Sequence, residues 1–163
     1  MLSSIVYELK KGVLMNKYGF SLIELMVVVA IIALLAMVAV PNFNRFLAKA
    51  KRAEAYMNLS ALYAAEKAYF AEHGKYSDVL SGEGGIGWKP EGNFNYTYGF
   101  SGSQGRNYFA GKLGSAGAHL SAGRADGKGF VAVAAGDIDG DGEQDILTVD
   151  ENNTITVVQD DLL

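Results

Sequence analysis

A chain of 163 residues that carries a membrane-length apolar run has room beside it for one modest soluble domain. It contains no cysteine, which excludes disulfides and thiolate metal sites. The formal net charge of −4 is unevenly spread, strongly acidic beyond Asp126 and slightly basic between Phe20 and Arg124, and no nucleic-acid site is evident in it.

Met1 to Gly19 reads as a processed leader, with Lys10, Lys11 and Lys17 set against Glu8. It differs from a secretory signal because the apolar run follows the expected cut and stays in the mature chain. Met15 is an alternative start, and the sequence does not decide between it and Met1. From Phe20 to Val40 the side chains are almost all aliphatic, with Glu24 the one formal charge. At about 1.5 Å per residue, a helix over this run reaches roughly 30 Å, enough to cross a bilayer core. A carboxylate at its start is costly in lipid and therefore a functional candidate. Position alone also allows a signal anchor with Glu24 at headgroup level.

Gly19-Phe20-Ser21-Leu22-Ile23-Glu24, the apolar run and then Pro41 closely resemble the N-terminus of type IV prepilins, of the type IVa-like kind with a class III leader motif. The resemblance covers roughly Gly19 to Ser77. It implies that a membrane-embedded prepilin peptidase and N-methyltransferase cuts between Gly19 and Phe20 and methylates the new N-terminus. It makes Glu24 the fifth mature residue and an assembly residue, and Pro41 the helix-kinking proline. Arg45, Lys49, Lys51 and Arg52 follow the run, so charge counting alone leaves its orientation open. The cleavage motif places the leader on the cytoplasmic side.

From Asn42 to His73 the pattern predicts an amphipathic helix. Leu59, Leu62, Tyr63, Glu66, Tyr69 and Phe70 recur at three- and four-residue spacing, with small or charged residues on the other faces. Gly74 supplies the left-handed C-terminal turn. A helix from Phe20 to His73 would be roughly 80 Å long, kinked or locally unwound at Pro41. Ser81 to Gly92 is a glycine-rich loop. Gly82, Gly84 and Gly87 satisfy a dinucleotide-binding spacing but lack the strand before and helix after that such a motif needs.

Asn93 to Phe100 alternates at strand period, placing Phe94, Tyr96, Tyr98 and Phe100 on one face to pack on the helix stripe. A weak strand is expected near Tyr108 or His119. Phe130 to Ala135, Ile146 to Val149 and Thr154 to Val158 read as strands by their β-branched content. The expected fold is α+β, a long kinked N-terminal helix packed against a small antiparallel sheet. Its parts are a leader (1–19), a membrane or filament-core half-helix (20–41), an amphipathic half-helix (42–74) and a β head (75–163) with an acidic loop at 137–145.

In that loop Asp137, Asp139, Asp141 and Asp145 occupy positions 1, 3, 5 and 9 of an EF-hand-like pattern, with Gly142 at position 6. Glu143, at position 7, would offer its backbone carbonyl. Position 12 is Thr148, where an EF-hand has a bidentate Glu, so the loop looks more like the DxDxDG calcium loops between β-strands. Oxygen-only ligation favours Ca²⁺ over transition metals, at the modest affinity suited to extracellular calcium, and such an ion would staple a cysteine-free C-terminal region. The competing reading is an exposed acidic turn. His73 and His119 have no ligand-spaced partner, and no catalytic signature is present.

The resemblance implies a non-enzymatic structural subunit of a type IV pilus, serving motility, adhesion or surface attachment. Its partners would be other pilin subunits, the prepilin peptidase and the pilus assembly machinery. It would sit in the inner membrane as a single pass and then in the extracellular pilus. Two alternatives share its sequence features: a pseudopilin of a type II secretion system, and a membrane-anchored calcium-binding domain that never polymerises.

Overall fold

The computed structural model describes residues 19–114 and 117–162, apart from the side chain of Ala118. The leader up to Tyr18, and with it the choice of start, lies outside the described residues.

Helix α1, Leu22–His73, opens on a capping box. Ser21 Oγ accepts the Glu24 N–H at 3.2 Å, while the Glu24 carboxylate lies 3.5 Å from the Ser21 N–H. At the other end Gly74, at φ 70°, donates its N–H to the Phe70 carbonyl at 2.8 Å, a left-handed cap as the sequence predicts. The helix runs unbroken through Pro41, so local unwinding does not occur there. Contacts divide the chain between Val40 and Pro41 into two units. In the first, the helix is apolar on every face and none of Phe20 to Val40 is buried.

In the second unit, α1 buries Ala48, Ala55, Leu59, Leu62 and Glu66, a seven–four–three–four spacing that keeps one face against the sheet. The sheet contains β1 (Thr97–Gly99), β2 (Tyr108–Phe109), β3 (Arg124–Ala125), β4 (Phe130–Gly136), β5 (Asp145–Asp150) and β6 (Ile155–Gln159). All pairings are antiparallel, in the order β2-β1-β4-β5-β6, with β3 beside β4. Strand β4 is covered on both faces. Ala132 and Ala134 share a cluster with Leu59, Leu62, Leu147 and Val149, while Val133 and Ala135 pack with Leu120 of a short 3₁₀ helix, Gly117–Leu120. Strand β5 alternates strictly, burying Asp145, Leu147 and Val149.

The aromatic stretch differs from its expected length. Tyr96, Tyr98 and Phe100 are fully buried in the helix-facing cluster and Phe94 partly so, yet only Thr97–Gly99 is strand. Gly99 ends the run at φ 135°, where an added Cβ would stand 2.3 Å from the Asn107 carbonyl oxygen. The backbones meet too closely there for any side chain. Of the two sites named for a weak strand, Tyr108 lies in β2 and His119 in the 3₁₀ helix.

Polar side chains of α1 tie it to the head. Glu54 accepts from the Asn95 N–H at 2.8 Å, from Asn95 Nδ2 at 2.5 Å and from the Tyr98 hydroxyl at 3.0 Å, fixing the entry to β1. Glu66 is less well served. It is fully buried, its Oε2 accepts the Ser77 N–H at 3.3 Å, and its Oε1 has no partner. Burial pushes its carboxyl up to about 7, the Ser77 N–H acting against that shift and the charge of Asp78 with it.

Because the folded value lies above the unfolded one, the native state holds more protons across the interval between them. Stability contributed by Glu66 is therefore present at acid pH and is lost as pH rises from about 4.5 to about 7, a change on the order of 3 kcal/mol. Urea unfolding of the full chain in detergent should show that loss between pH 5 and 8. Glu66→Gln should flatten it and leave the variant the more stable at pH 8.

Candidate functional site

Two places carry the residues singled out in the sequence. At the N-terminal end of α1, a Cβ added to Gly19 would meet none of the described residues within 4 Å, so their packing makes no demand for glycine there. Phe20 is 82% exposed. Glu24 is exposed too and, among the described residues, is engaged with Ser21 through the capping box. Pro41 lies within the helix, where it has no N–H to give to the backbone ladder.

The second place is the turn between β4 and β5. Gly140 and Gly142, at φ 91° and 96°, reverse the chain, and the side chains fold over it. Asp137 accepts from Gly140 at 2.7 Å and from Gly142 at 3.1 Å, Asp139 from the Asp141 N–H at 3.2 Å, and Asp141 from the Glu143 N–H at 2.8 Å. These bonds gather Asp137, Asp139 and Asp141. With Asp161, beyond β6, they present carboxylate oxygens all within 4.8 Å of one another.

Asp161 is 7% exposed. Its Oδ2 accepts the Ile138 N–H at 2.8 Å and the Asp139 N–H at 3.4 Å, while its Oδ1 is buried without a partner. Burial pushes its carboxyl up from the usual range, and the charges of Asp139 and Asp141 push the same way. Among the described residues this buried oxygen and the three neighbouring carboxylates form no ion pair, although Arg45 lines the same cavity, and a hard, oxygen-seeking cation would neutralise them. The cluster can hold a metal ion. A cavity of about 270 Å³ beside Asp139, Asp141 and Asp161, bounded by Asn44, Arg45 and Ala48 of α1, gives it a way in.

One carboxylate assigned to the loop's ligand set, Asp145, is engaged elsewhere, and the Glu143 side chain also stands apart, its backbone carbonyl being the expected donor. Asp145 is fully buried and belongs to α1: its Oδ2 accepts Arg52 Nε at 2.9 Å and the Tyr96 hydroxyl at 2.5 Å, and its Oδ1 accepts the Arg52 guanidinium at 2.5 Å. The same guanidinium bonds Asp160. Burial works against the Arg52 charge, but the bonds and charges of Asp160 and Asp145 more than offset it and hold the group protonated. Burial and the Asp145 charge together raise the Tyr96 hydroxyl, keeping it a donor. The Glu143 side chain accepts from Gln159 Nε2 at 3.0 Å, outside the cluster. Asp161 brings to the cluster a carboxylate from outside the loop, whose own position 12 is Thr148.

Residues 14–40 match the family model for the prokaryotic N-terminal methylation motif. The chain is 49% identical over 87 residues to the type IV major pilin protein PilA of Myxococcus xanthus (strain DK1622), a match covering 53% of this chain and 38% of that one. It is 40% identical over 60 residues to a type IV major pilin protein PilE1 of Neisseria gonorrhoeae, covering 37% of this chain and 36% of the relative. A match to the fimbrial protein EcpC of Eikenella corrodens is 38% identical over 56 residues, covering 34% and 37%. The chain thus spans less than two-fifths of the length of each of these relatives.

The geometry places Asp161 in the carboxylate cluster although it lies outside the loop. Titrating the full chain in detergent with calcium or terbium should show affinity falling by about tenfold or more on Asp161→Asn, since affinity follows ligand charge. Unchanged affinity would remove Asp161 from the site.

Proposed function

We propose that this chain, a type IV pilin by its N-terminal methylation motif and its helix-on-sheet fold, is the structural subunit of a surface filament. Its leader is removed between Gly19 and Phe20 and Phe20 is N-methylated. The subunit waits in the inner membrane and is then polymerised by the assembly machinery. The observation that carries this reading is the stretch from Phe20 to Val40, apolar apart from Ser21 and Glu24 and covered by none of the described residues. So large an apolar surface needs an outside partner. Lipid meets that need before assembly, and the helices of neighbouring subunits meet it in the filament.

Gly19 fits the same account. The fold places no steric demand on it, whereas a peptidase needs a small, unhindered residue at the bond it cuts. Cleavage creates an amino group on Phe20, and Glu24 of an adjacent subunit pairs with it. Among the described residues the Glu24 carboxylate bonds Ser21, by a long bond that a charged partner outcompetes. Such a pair adds little net stability when buried, but an assembly that omits it strands a charge, so it selects register. Pro41 marks the junction where the lipid-facing run gives way to the head.

The acidic loop holds Ca²⁺. Asp137, Asp139, Asp141 and Asp161 provide the carboxylates, an all-oxygen donor set suited to a hard cation. The ion links the β4–β5 loop to the chain beyond β6, a task that the cysteine-free sequence cannot give to a disulfide.

Protein sheared from the cell surface should have the mass of a chain beginning at N-methylated Phe20. An uncut chain confined to the membrane would overturn the reading. Glu24→Ala should be cleaved normally yet yield few or no filaments, by electron microscopy of the sheared fraction. Normal piliation in that strain would refute the role given to Glu24.

A further inference from the structure

We infer that cation binding in the β4–β5 loop and docking of that loop on α1 are one coupled event, with Arg52 as the positioning residue. This rests on the calcium reading above and goes beyond it, because Arg52 touches no cation and belongs to no ligand set.

The helix grips the loop at both ends. Lys51 Nζ donates to the Ile138 carbonyl at 2.7 Å, just inside the loop's start. Arg52 holds both oxygens of Asp145 at its end. The same guanidinium bonds Asp160, the residue before the ligand Asp161. Asp161 is also tied by its own N–H, which donates to Asp145 Oδ1 at 3.3 Å. Its Oδ2 is committed to Ile138 and Asp139, so the free Oδ1 can face the other carboxylates only while this frame stands. One guanidinium therefore fixes the end of the loop, the tail that carries the fourth ligand and, through Asp145, the backbone of that ligand.

The alternative has the opposite sign. Were Arg52 merely a nearby positive charge, it would repel a cation, and its removal would tighten binding. If it positions Asp161, removal frees the tail and strands Asp145 and Asp160 without their counter-charge, and binding weakens. Residues that orient metal ligands without touching the metal are typically worth ten- to a hundredfold in affinity.

The test is calcium titration of the full chain in detergent, for wild type, Arg52→Gln and Arg52→Lys. The expected result is an affinity about tenfold or more weaker for Arg52→Gln, with partial recovery in Arg52→Lys, which restores the charge but not the two-pronged grip. Equal or tighter binding by Arg52→Gln, beside a wild type that binds, would overturn the coupling and leave the calcium site standing. A wild type that binds no calcium would overturn both. Should Arg52→Gln fail to fold, hydrogen exchange on the wild type decides the matter. Calcium should slow amide exchange along residues 48–55 of α1 as well as in the loop, and protection confined to residues 137–145 would overturn the coupling.

Discussion

The head depends on the two-pronged bond between Arg52 and the buried carboxylate of Asp145. Three parts of the chain meet there: α1 through Arg52, the entry to β1 through the Tyr96 hydroxyl, and the segment after β6 through Asp160 and the Asp161 N–H. Both oxygens of Asp145 are satisfied, the condition under which a buried ion pair is tolerated at all. Its net contribution to stability is small beside that of Leu59, Leu62, Tyr96, Tyr98 and Phe130 in the apolar core. What it supplies is uniqueness. A shifted docking of the helix would bury a lone carboxylate, at a cost of several kcal/mol.

The same logic separates the two units. Up to Val40 the helix is apolar apart from Glu24, and none of its described residues is buried against the rest of the chain. Beyond Pro41 it carries Lys51, Arg52, Glu54 and Glu66 on or beside its buried face, and each bonds to the head, Glu66 through one oxygen only. The polar residues of the second stretch fix its place within one molecule. The first stretch has no such anchoring residues beyond Glu24, which on the proposed reading leaves it available to lipid and to copies of itself.

How much was legible in the sequence follows from the range of each interaction. The helix, its glycine cap and the strands around the acidic loop come from local spacing and propensity, and the structure has them nearly where the pattern puts them. The capping box of Ser21 and Glu24 was legible too, but the prepilin motif that overlies the same residues drew the reading elsewhere. Asp145 was misplaced because alternation along the loop cannot tell a carboxylate turned toward a cation from one turned toward an arginine 93 residues earlier. Asp161 was missed for the same reason, being outside the loop's own spacing. Glu66 fell correctly on the buried stripe, but its orphaned oxygen depends on how the Ser77 segment folds back over it.

The bond from Arg52 to Asp160 joins residues 108 apart in sequence, and it does so with charge in a protein that has no sulfur–sulfur link to offer. Closure of this kind needs no oxidant and no isomerase, and it forms as soon as the two segments meet. The chain is therefore indifferent to the thiol–disulfide poise of its surroundings, and a reductant finds no disulfide in it to break. Its sensitivity lies instead with whatever competes for carboxylates.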